Sequence, residues 1–362
     1  MWFVSDNAGP AHPAAVAALL RANEGHARGY GADEGADRVA GLLRDLLEAP
    51  DAAVFLVATG TAANALALAC LCPPWATVFC HDEAHVQADE CGAVGFYAGA
   101  TLTPVAGDHG RIDPGALEGA IRRAGQSVHN VQRGALTLTD ATEAGTVYDP
   151  DAVARLAGVA KAAGLPVHMD GARFANAVAT LGCAPAELTW KAGVDALSFG
   201  GTKNGLFGVE AVVLFDPARA WEFELRRKRA GHLFSKHRFL AAQMEASLTD
   251  GLWLETARTA NARAARLSAG LVAGGAELVH PTEANEVFAA LPVAAHRRAR
   301  AAGAQYYLWD DAGEAALDGP PEALVPARLV CDWSIAEAEI DRFLALVAPE
   351  AAAAAGGRIA RV

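Results

Sequence analysis

Lys203 stands in Ser198-Phe199-Gly200-Gly201-Thr202-Lys203-Asn204-Gly205, directly after a run that reads as a buried strand, Val194 to Phe199. This puts a primary amine at the rim of a sheet and not on a solvated helix face. A protonated lysine is a poor nucleophile, but a site that destabilises its charge lets the amine attack a carbonyl and form a Schiff base. The small residues on either side are expected to leave room for a bulky ligand to approach the backbone. Most lysines are surface groups, so the chemistry at the other strand ends decides how Lys203 is read.

Asp170, in His168-Met169-Asp170-Gly171-Ala172-Arg173, ends a second β-rich run, Pro166 to Met169. A carboxylate at that point can hold a proton on a pyridine nitrogen and keep the ring an electron sink. The alternative is an N-cap for the helical pattern over 171–180. Arg173 fits either a structural partner for that carboxylate or a fork for a ligand's carboxylate.

Thr59-Gly60-Thr61-Ala62-Ala63-Asn64 follows the run Val54 to Val57 and opens a helix. Gly60 lets a ligand come close, and the N–H groups of Gly60, Thr61 and Ala62 suit a phosphate at the helix start. Capping by Thr59 or Thr61 is the ordinary alternative. The segment is not GxGxxG, which weighs against a dinucleotide.

His81-Asp82-Glu83-Ala84-His85 follows the run Thr77 to Cys80. An imidazole there can stack on an aromatic ring or move a proton. The rival is a metal-dependent hydrolase using His81 and His85, although the glutamate is not placed as in HExxH. Arg328, in Pro326-Ala327-Arg328-Leu329-Val330-Cys331, is a charge inside an apolar strand. It either faces solvent on an edge or reaches a buried anion, where its fork gives bidentate recognition of a carboxylate.

The elements that must position these groups alternate regularly. Val54–Val57, Thr77–Cys80, Thr101–Val105, Ala135–Thr139, Pro166–Met169, Ala196–Phe199 and Ala211–Phe215 read as strands, with helical stretches such as Thr61–Cys70 and Pro150–Ala163 between them. Alternation of this kind predicts an α/β domain with a mostly parallel seven-stranded sheet covered on both faces. The last two strands are too close for a helical crossover, so at least one antiparallel strand is expected. In open sheets of this kind ligands sit outside the carboxyl ends of the strands, where all the distinctive segments but Arg328 fall.

Beyond the helical stretch Leu248–Ala273 come short strands near Val287–Leu291 and Ala327–Asp332. The expected division is a large domain over 1–245 with an N-terminal arm, a small α+β domain over 246–350, and an Ala/Gly-rich tail over 351–362 that frays.

The chain has 362 residues, 52% hydrophobic and 20% charged, with a formal net charge of −12. That composition is globular, and the negative charge weighs against a nucleic-acid partner. Apolar runs are too short to span a bilayer, and no secretory signal is evident. Six cysteines without CxxC pairing fit reduced thiols in a cytoplasmic protein.

The order phosphate loop, histidine, aspartate, lysine 33 positions later and small-domain arginine resembles the fold-type I pyridoxal phosphate (PLP) enzymes. Within them the chain resembles the low-specificity L-threonine aldolase family, from Ser5-Asp6-Asn7 through Asp332-Trp333. Its phrases Ala58-Thr59-Gly60-Thr61-Ala62-Ala63-Asn64-Ala65 and Asp195-Ala196-Leu197-Ser198-Phe199-Gly200-Gly201-Thr202-Lys203-Asn204-Gly205 are most similar to the bacterial phenylserine aldolase-like branch.

The resemblance implies a PLP-dependent transferase-like large domain and retro-aldol cleavage of L-β-hydroxy-α-amino acids to glycine and an aldehyde. It implies that Lys203 carries PLP, Asp170 and Arg173 serve the cofactor, His85 stacks on its ring, and Gly60 and Thr61 hold its phosphate. Ser5, Arg173 and Arg328 match positions that bind the substrate's carboxylate. Lys228 and Arg229 match a segment that reaches a neighbouring subunit's phosphate, with Tyr30 a second group reaching across. A homodimer or homotetramer with shared sites follows.

In one place the chain departs from the family. Many members carry a histidine in the loop corresponding to Thr139-Asp140-Ala141-Thr142-Glu143-Ala144-Gly145, where this chain has Thr142 or Glu143. The base for the β-hydroxyl is therefore open, with His85 or an ordered water as substitutes. Other reactions on the same fold, β-elimination, transamination or racemisation, are the nearest rivals.

Overall fold

The structure is a computed structural model that describes residues 1–309 and 313–348. Thirteen strands occur among them. In chain order they are β1 (Ala53–Val57), β2 (Ala76–His81), β3 (Thr101–Val105), β4 (Gly107–Asp108), β5 (Arg111–Ile112), β6 (Gln132–Thr139) and β7 (Val167–Gly171). Then follow β8 (Ala196–Gly200), β9 (Glu210–Leu214), β10 (Glu277–Leu278), β11 (Glu286–Pro292), β12 (Tyr307–Leu308) and β13 (Leu324–Val330).

Seven of them form one sheet in the order β1-β9-β8-β7-β6-β2-β3. β9 runs antiparallel to both neighbours, while β8, β7, β6, β2 and β3 pair in parallel. The seven expected strands are all present, and the expected antiparallel strand is β9. Its central strands are buried along their whole length, which is why they read as continuous apolar runs and not as alternating ones. The helix Gly60–Leu71 is buried on nearly every side and packs on the sheet.

β10, β11, β13 and β12 form a second, wholly antiparallel sheet with its own apolar cluster. Phe3 lies fully buried in that cluster, and its carbonyl accepts from Val330 N–H. The first residues thus belong partly to the small sheet, and not to the large unit alone as expected. The helix expected over 248–273 is interrupted: Asp250 and Gly251 take left-handed backbone (φ 53° and 73°), and a continuous helix runs only from Leu252 to Ala273. Asp-Gly is a turn signal that outweighs the helical pattern around it. The expected fraying tail, 351–362, lies outside the described residues.

Strand direction fixes the site. β1, β2, β6, β7 and β8 all end on one rim, and because β9 runs the other way its first residue, Glu210, begins there. The pairs Val57 with Glu210, Gly200 with Glu210, and Asp170 with both Thr139 and Ser198 lie along that rim.

Candidate active site

A cleft of about 380 Å³ opens at this rim, lined by Gly60, Thr61, Asn64, His85, Glu90, Glu143, Asp170, Arg173, Lys203 and Glu210 among others. Six residues singled out from the sequence are therefore brought together: Gly60, Thr61, His85, Asp170, Arg173 and Lys203.

Lys203 sits in a single 3-10 turn, Thr202–Asn204, just beyond β8. Among the described residues its ammonium has no ion pair or hydrogen bond, although the charges of Asp6 and Glu210 both feel it. The glycines beside it do not make room for a ligand, contrary to expectation. A Cβ on Gly200 would run into the Ala172 carbonyl, and one on Gly201 into the Val209 carbonyl, so these glycines let strand and loop pack closely. The open space is at Gly60, where a Cβ would meet nothing within 4 Å.

Thr59 is the cap of the helix Gly60–Leu71: its Oγ1 accepts from Ala62 N–H at 3.2 Å. The Gly60 and Thr61 N–H groups remain at the free, positive end of the helix, facing the cleft.

Asp170 is buried with both oxygens engaged. Oδ1 accepts from Ala172 N–H at 3.0 Å and Oδ2 from Asn64 Nδ2 at 2.8 Å. Asn64 Nδ2 also donates to Glu90 Oε1 at 2.9 Å, and the same oxygen lies 2.9 Å from His85 Nδ1. A continuous polar chain thus runs His85, Glu90, Asn64, Asp170 beneath the cleft. The hydrogen bond to Glu90 is the main reason that His85 holds its proton above the ordinary histidine value, against burial and the charge of Lys203. Asn64 is the only polar side chain between Ala62 and Leu71, a signal visible in the sequence. Glu90 lies in a mixed loop and carries no such signal.

Arg173 is buried between two carboxylates. Its Nε and Nη2 donate to Asp6 at 2.7 and 3.0 Å, and Nη1 lies 3.0 Å from Glu286 Oε2. Burial alone would raise the Asp6 pKa, but the charges of Arg173 and Lys203, with hydrogen bonds from Arg173 and Asn285, hold it at about 2. Arg328 shares Glu286, donating to Oε1 from Nε at 3.1 Å and Nη2 at 2.6 Å. Both arginines expected to receive a ligand's carboxylate therefore already have a protein carboxylate.

Four further expected residues lie elsewhere. Ser5 does not line the cleft: its Oγ accepts from Asn7 N–H, and Asn7 is the arm residue at the cleft wall. The basic run splits by side. Arg226 pairs with Glu222 and Arg227 is buried against Glu224, while the Lys228 ammonium stands 4.9 Å from the exposed Tyr30 ring and Arg229 borders a surface hollow with Phe96 and Tyr97. Within one subunit Tyr30, Lys228 and Arg229 do not reach the cleft.

His81 ends β2 with Nδ1 accepting from Glu83 N–H and Nε2 3.3 Å from the Gly107 carbonyl. Both ring nitrogens serve the backbone, and among the described residues no group of three or more His, Cys, Asp or Glu side chains is placed to hold a metal. Nothing in this geometry favours the hydrolase reading.

Two carboxyls in the cleft, Glu210 buried and Glu143 half-buried, went unassigned in the sequence. Burial pushes Glu210 up to about 7, with bonds from Thr202 and Gly201 and the charge of Lys203 limiting the rise. Burial also pushes Glu143 up to about 7, with the Asp170 charge adding to it and hydrogen bonds from His85 N–H and Thr139 limiting the rise.

The residues fit PLP: a buried carboxylate in the floor, an amine without a partner, and open space at a helix start whose N–H groups suit a phosphate. A family profile for beta-eliminating lyases matches residues 3–294. The low-specificity L-threonine aldolase of Pseudomonas sp. (strain NCIMB 10558) is 43% identical over 342 residues, 93% of this chain and 94% of that protein. The protein of the same name from Pseudomonas aeruginosa is 45% identical over 335 residues, covering 91% and 92%. The structure of a Leishmania major threonine aldolase superposes with a TM-score of 0.88 at 27% identity, over 96% of this chain and 98% of that one.

Fold and site define a fold-type I PLP enzyme, with PLP as its cofactor. The chain belongs to the beta-eliminating lyase family and is a PLP-dependent lyase. No helix among the described residues is long and apolar enough to cross a membrane.

Proposed function

We propose that the protein cleaves L-β-hydroxy-α-amino acids of the threonine, allo-threonine and phenylserine type to glycine and an aldehyde. The reading rests on Lys203, Asp170 and His85 around one cleft in a chain 43% and 45% identical to two L-threonine aldolases.

Bound in the cleft, PLP supplies the electron sink for the bond broken at the substrate's Cα. Lys203 would hold it through its amine. Asp170, fixed by Asn64 and Ala172 N–H, keeps a proton on the ring nitrogen. His85 covers the ring, its orientation set by Glu90. Gly60 and Thr61 hold the phosphate. Arg173 takes the substrate's carboxylate by exchanging part of its contact with Asp6 or Glu286, and Arg328, tied to the same Glu286, takes up the carboxylate that is released or assists directly. Ser5 holds the Asp6–Asn7 turn at the cleft wall.

The working unit is a cytoplasmic homodimer or homotetramer with shared sites, each chain divided into 1–245 and 246–350. Exposed Phe96, Trp221 and Leu225 beside Arg229 support an interface there. Lys228, Arg229 and Tyr30 then reach a partner's cofactor.

Incubation with L-threonine and L-phenylserine, reading glycine and aldehyde together, tests the reaction; absence of either product refutes it. Higher activity on D-threonine would refute the stereochemical half. The family description favours β-elimination as a second reading, and its products, ammonia and a 2-oxo acid, separate it in the same assay.

A further inference from the structure

We infer that Glu143 is the catalytic base that takes the proton of the substrate's β-hydroxyl, an inference that rests on the reaction proposed above. The other carboxyls and the imidazole at the cleft wall each serve a neighbour. Asp170 has both oxygens bound, Glu90 holds His85 and Asn64 through one oxygen, and His85 is tied through Nδ1 to Glu90. Glu210 serves the Lys203 loop, accepting from Gly201 N–H at 2.6 Å. Arginine and lysine are cations without a lone pair to offer while charged.

Glu90 also has a second oxygen without a partner among the described residues, but its side chain is fully buried, whereas Glu143 is half-buried and reaches the cleft. Glu143 follows β6 at the rim and lines the cleft. Oε1 accepts from His85 N–H at 2.7 Å, which fixes the carboxyl beside the residue assigned to cover the ring. Oε2 is shielded from water and accepts no hydrogen bond of ordinary geometry among the described residues, although the Thr139 hydroxyl lies close enough to the carboxyl to lower its pKa. A buried, unpartnered acceptor is costly unless something completes it.

Burial and the Asp170 charge push Glu143 to about 7, where a carboxylate is a far better base than at its ordinary value and is still half ionised at neutral pH. His85, with its proton held more tightly than usual by Glu90, suits covering the ring better than accepting a further proton.

The step balances. The O–H pair becomes the second C–O bond of the aldehyde, the Cα–Cβ pair stays with the glycine fragment, and the proton passes to a Glu143 oxygen. The glycine fragment takes one proton from solvent, and Glu143 returns its own to solvent.

The test compares wild type with E143Q, which keeps an oxygen for His85 N–H, on two reactions. Cleavage of L-phenylserine needs a β-oxygen base, whereas exchange of the glycine α-hydrogen with deuterium in solvent uses the same cofactor and lysine without one. The expected result is a loss of roughly 100-fold or more in kcat/KM for cleavage, with exchange retained within about threefold. Wild-type kcat/KM is expected to climb tenfold per pH unit below about pH 7 and level above it, and E143Q to lose that limb. Infrared pH-difference spectra give a readout independent of turnover: the carboxyl signal that titrates near pH 7, to which Glu143 and Glu210 both contribute, falls by the Glu143 share in E143Q.

Cleavage by E143Q within threefold of an active wild type overturns the assignment, as does equal loss of cleavage and exchange, which marks a structural role. Failure of wild type to cleave while it still exchanges glycine overturns the reaction reading, and the base assignment with it.

Discussion

Glu210 begins β9 with its carboxyl buried against the loop that carries Lys203, and burial raises its pKa from 4.5 to about 7. The difference of about 2.5 units corresponds to about 3 kcal/mol between the two protonation states. The folded-state value lies above the unfolded one, so the folded chain holds this proton more tightly. The resulting stability is complete below about pH 4.5 and is lost as pH rises to about 7. Glutamine has no such proton to lose.

E210Q and wild type should therefore differ by a constant below about pH 4.5, with the variant gaining about 3 kcal/mol relative to wild type by pH 8. Urea unfolding of both proteins across pH 4 to 8, at equal cofactor saturation, reads this directly as a widening gap in midpoint. The charge of Lys203 is one of the factors that hold the Glu210 value down, so in a Lys203→Ala background the upper break should move to higher pH. Parallel stability curves for wild type and E210Q would refute the reasoning, because the carboxyl would then ionise in the folded protein as it does in the unfolded chain.

Borohydride reduction followed by peptide mapping should leave pyridoxyl on Lys203, and K203A should fold yet turn over nothing; label on another lysine removes the assignment. R173K keeps the charge but loses the fork, so KM for the amino acid should rise roughly tenfold to a hundredfold, about 1–3 kcal/mol, with a smaller change in kcat. R173Q leaves Asp6 buried without its cation and Glu286 with Arg328 alone, and should cost about 3–5 kcal/mol in urea unfolding. Hybrids of K203A subunits with subunits carrying K228A and R229A should regain activity that neither parent has; full activity in a strictly monomeric preparation would end the shared-site proposal.

What could be read in the sequence followed from local rules. The strands of the large sheet were legible because fully buried parallel strands are short apolar runs, and β9 because no helix fits in the Gly-rich loop before it. Lys203, Asp170, His85, Gly60 and Thr61 were legible because each directly follows such a run, where strand direction leaves little choice of position.

The groups that complete the site depend on pairings far apart in the chain. Glu90 meets Asn64 across 26 positions, Asp170 meets Asn64 across 106, and Asp6 meets Arg173 across 167. No periodicity encodes those distances. Glu210 is at the rim only because β9 runs against its neighbours. Arg328 was legible as a charge within a strand, but its partner Glu286, on the adjacent strand β11, was not.

The arm at the start of the chain has a consequence for synthesis. Its backbone pairs with Gln305 and Val330, and Asp6, three residues after Phe3, is the bidentate partner of Arg173. The arm, made early, cannot dock fully until β13 has been made. Between the synthesis of β9 and that of β13, Arg173 waits without a docked Asp6 while the large sheet is already complete in sequence. An early-made segment is thus fixed late, and the site closes only after β13 has been made.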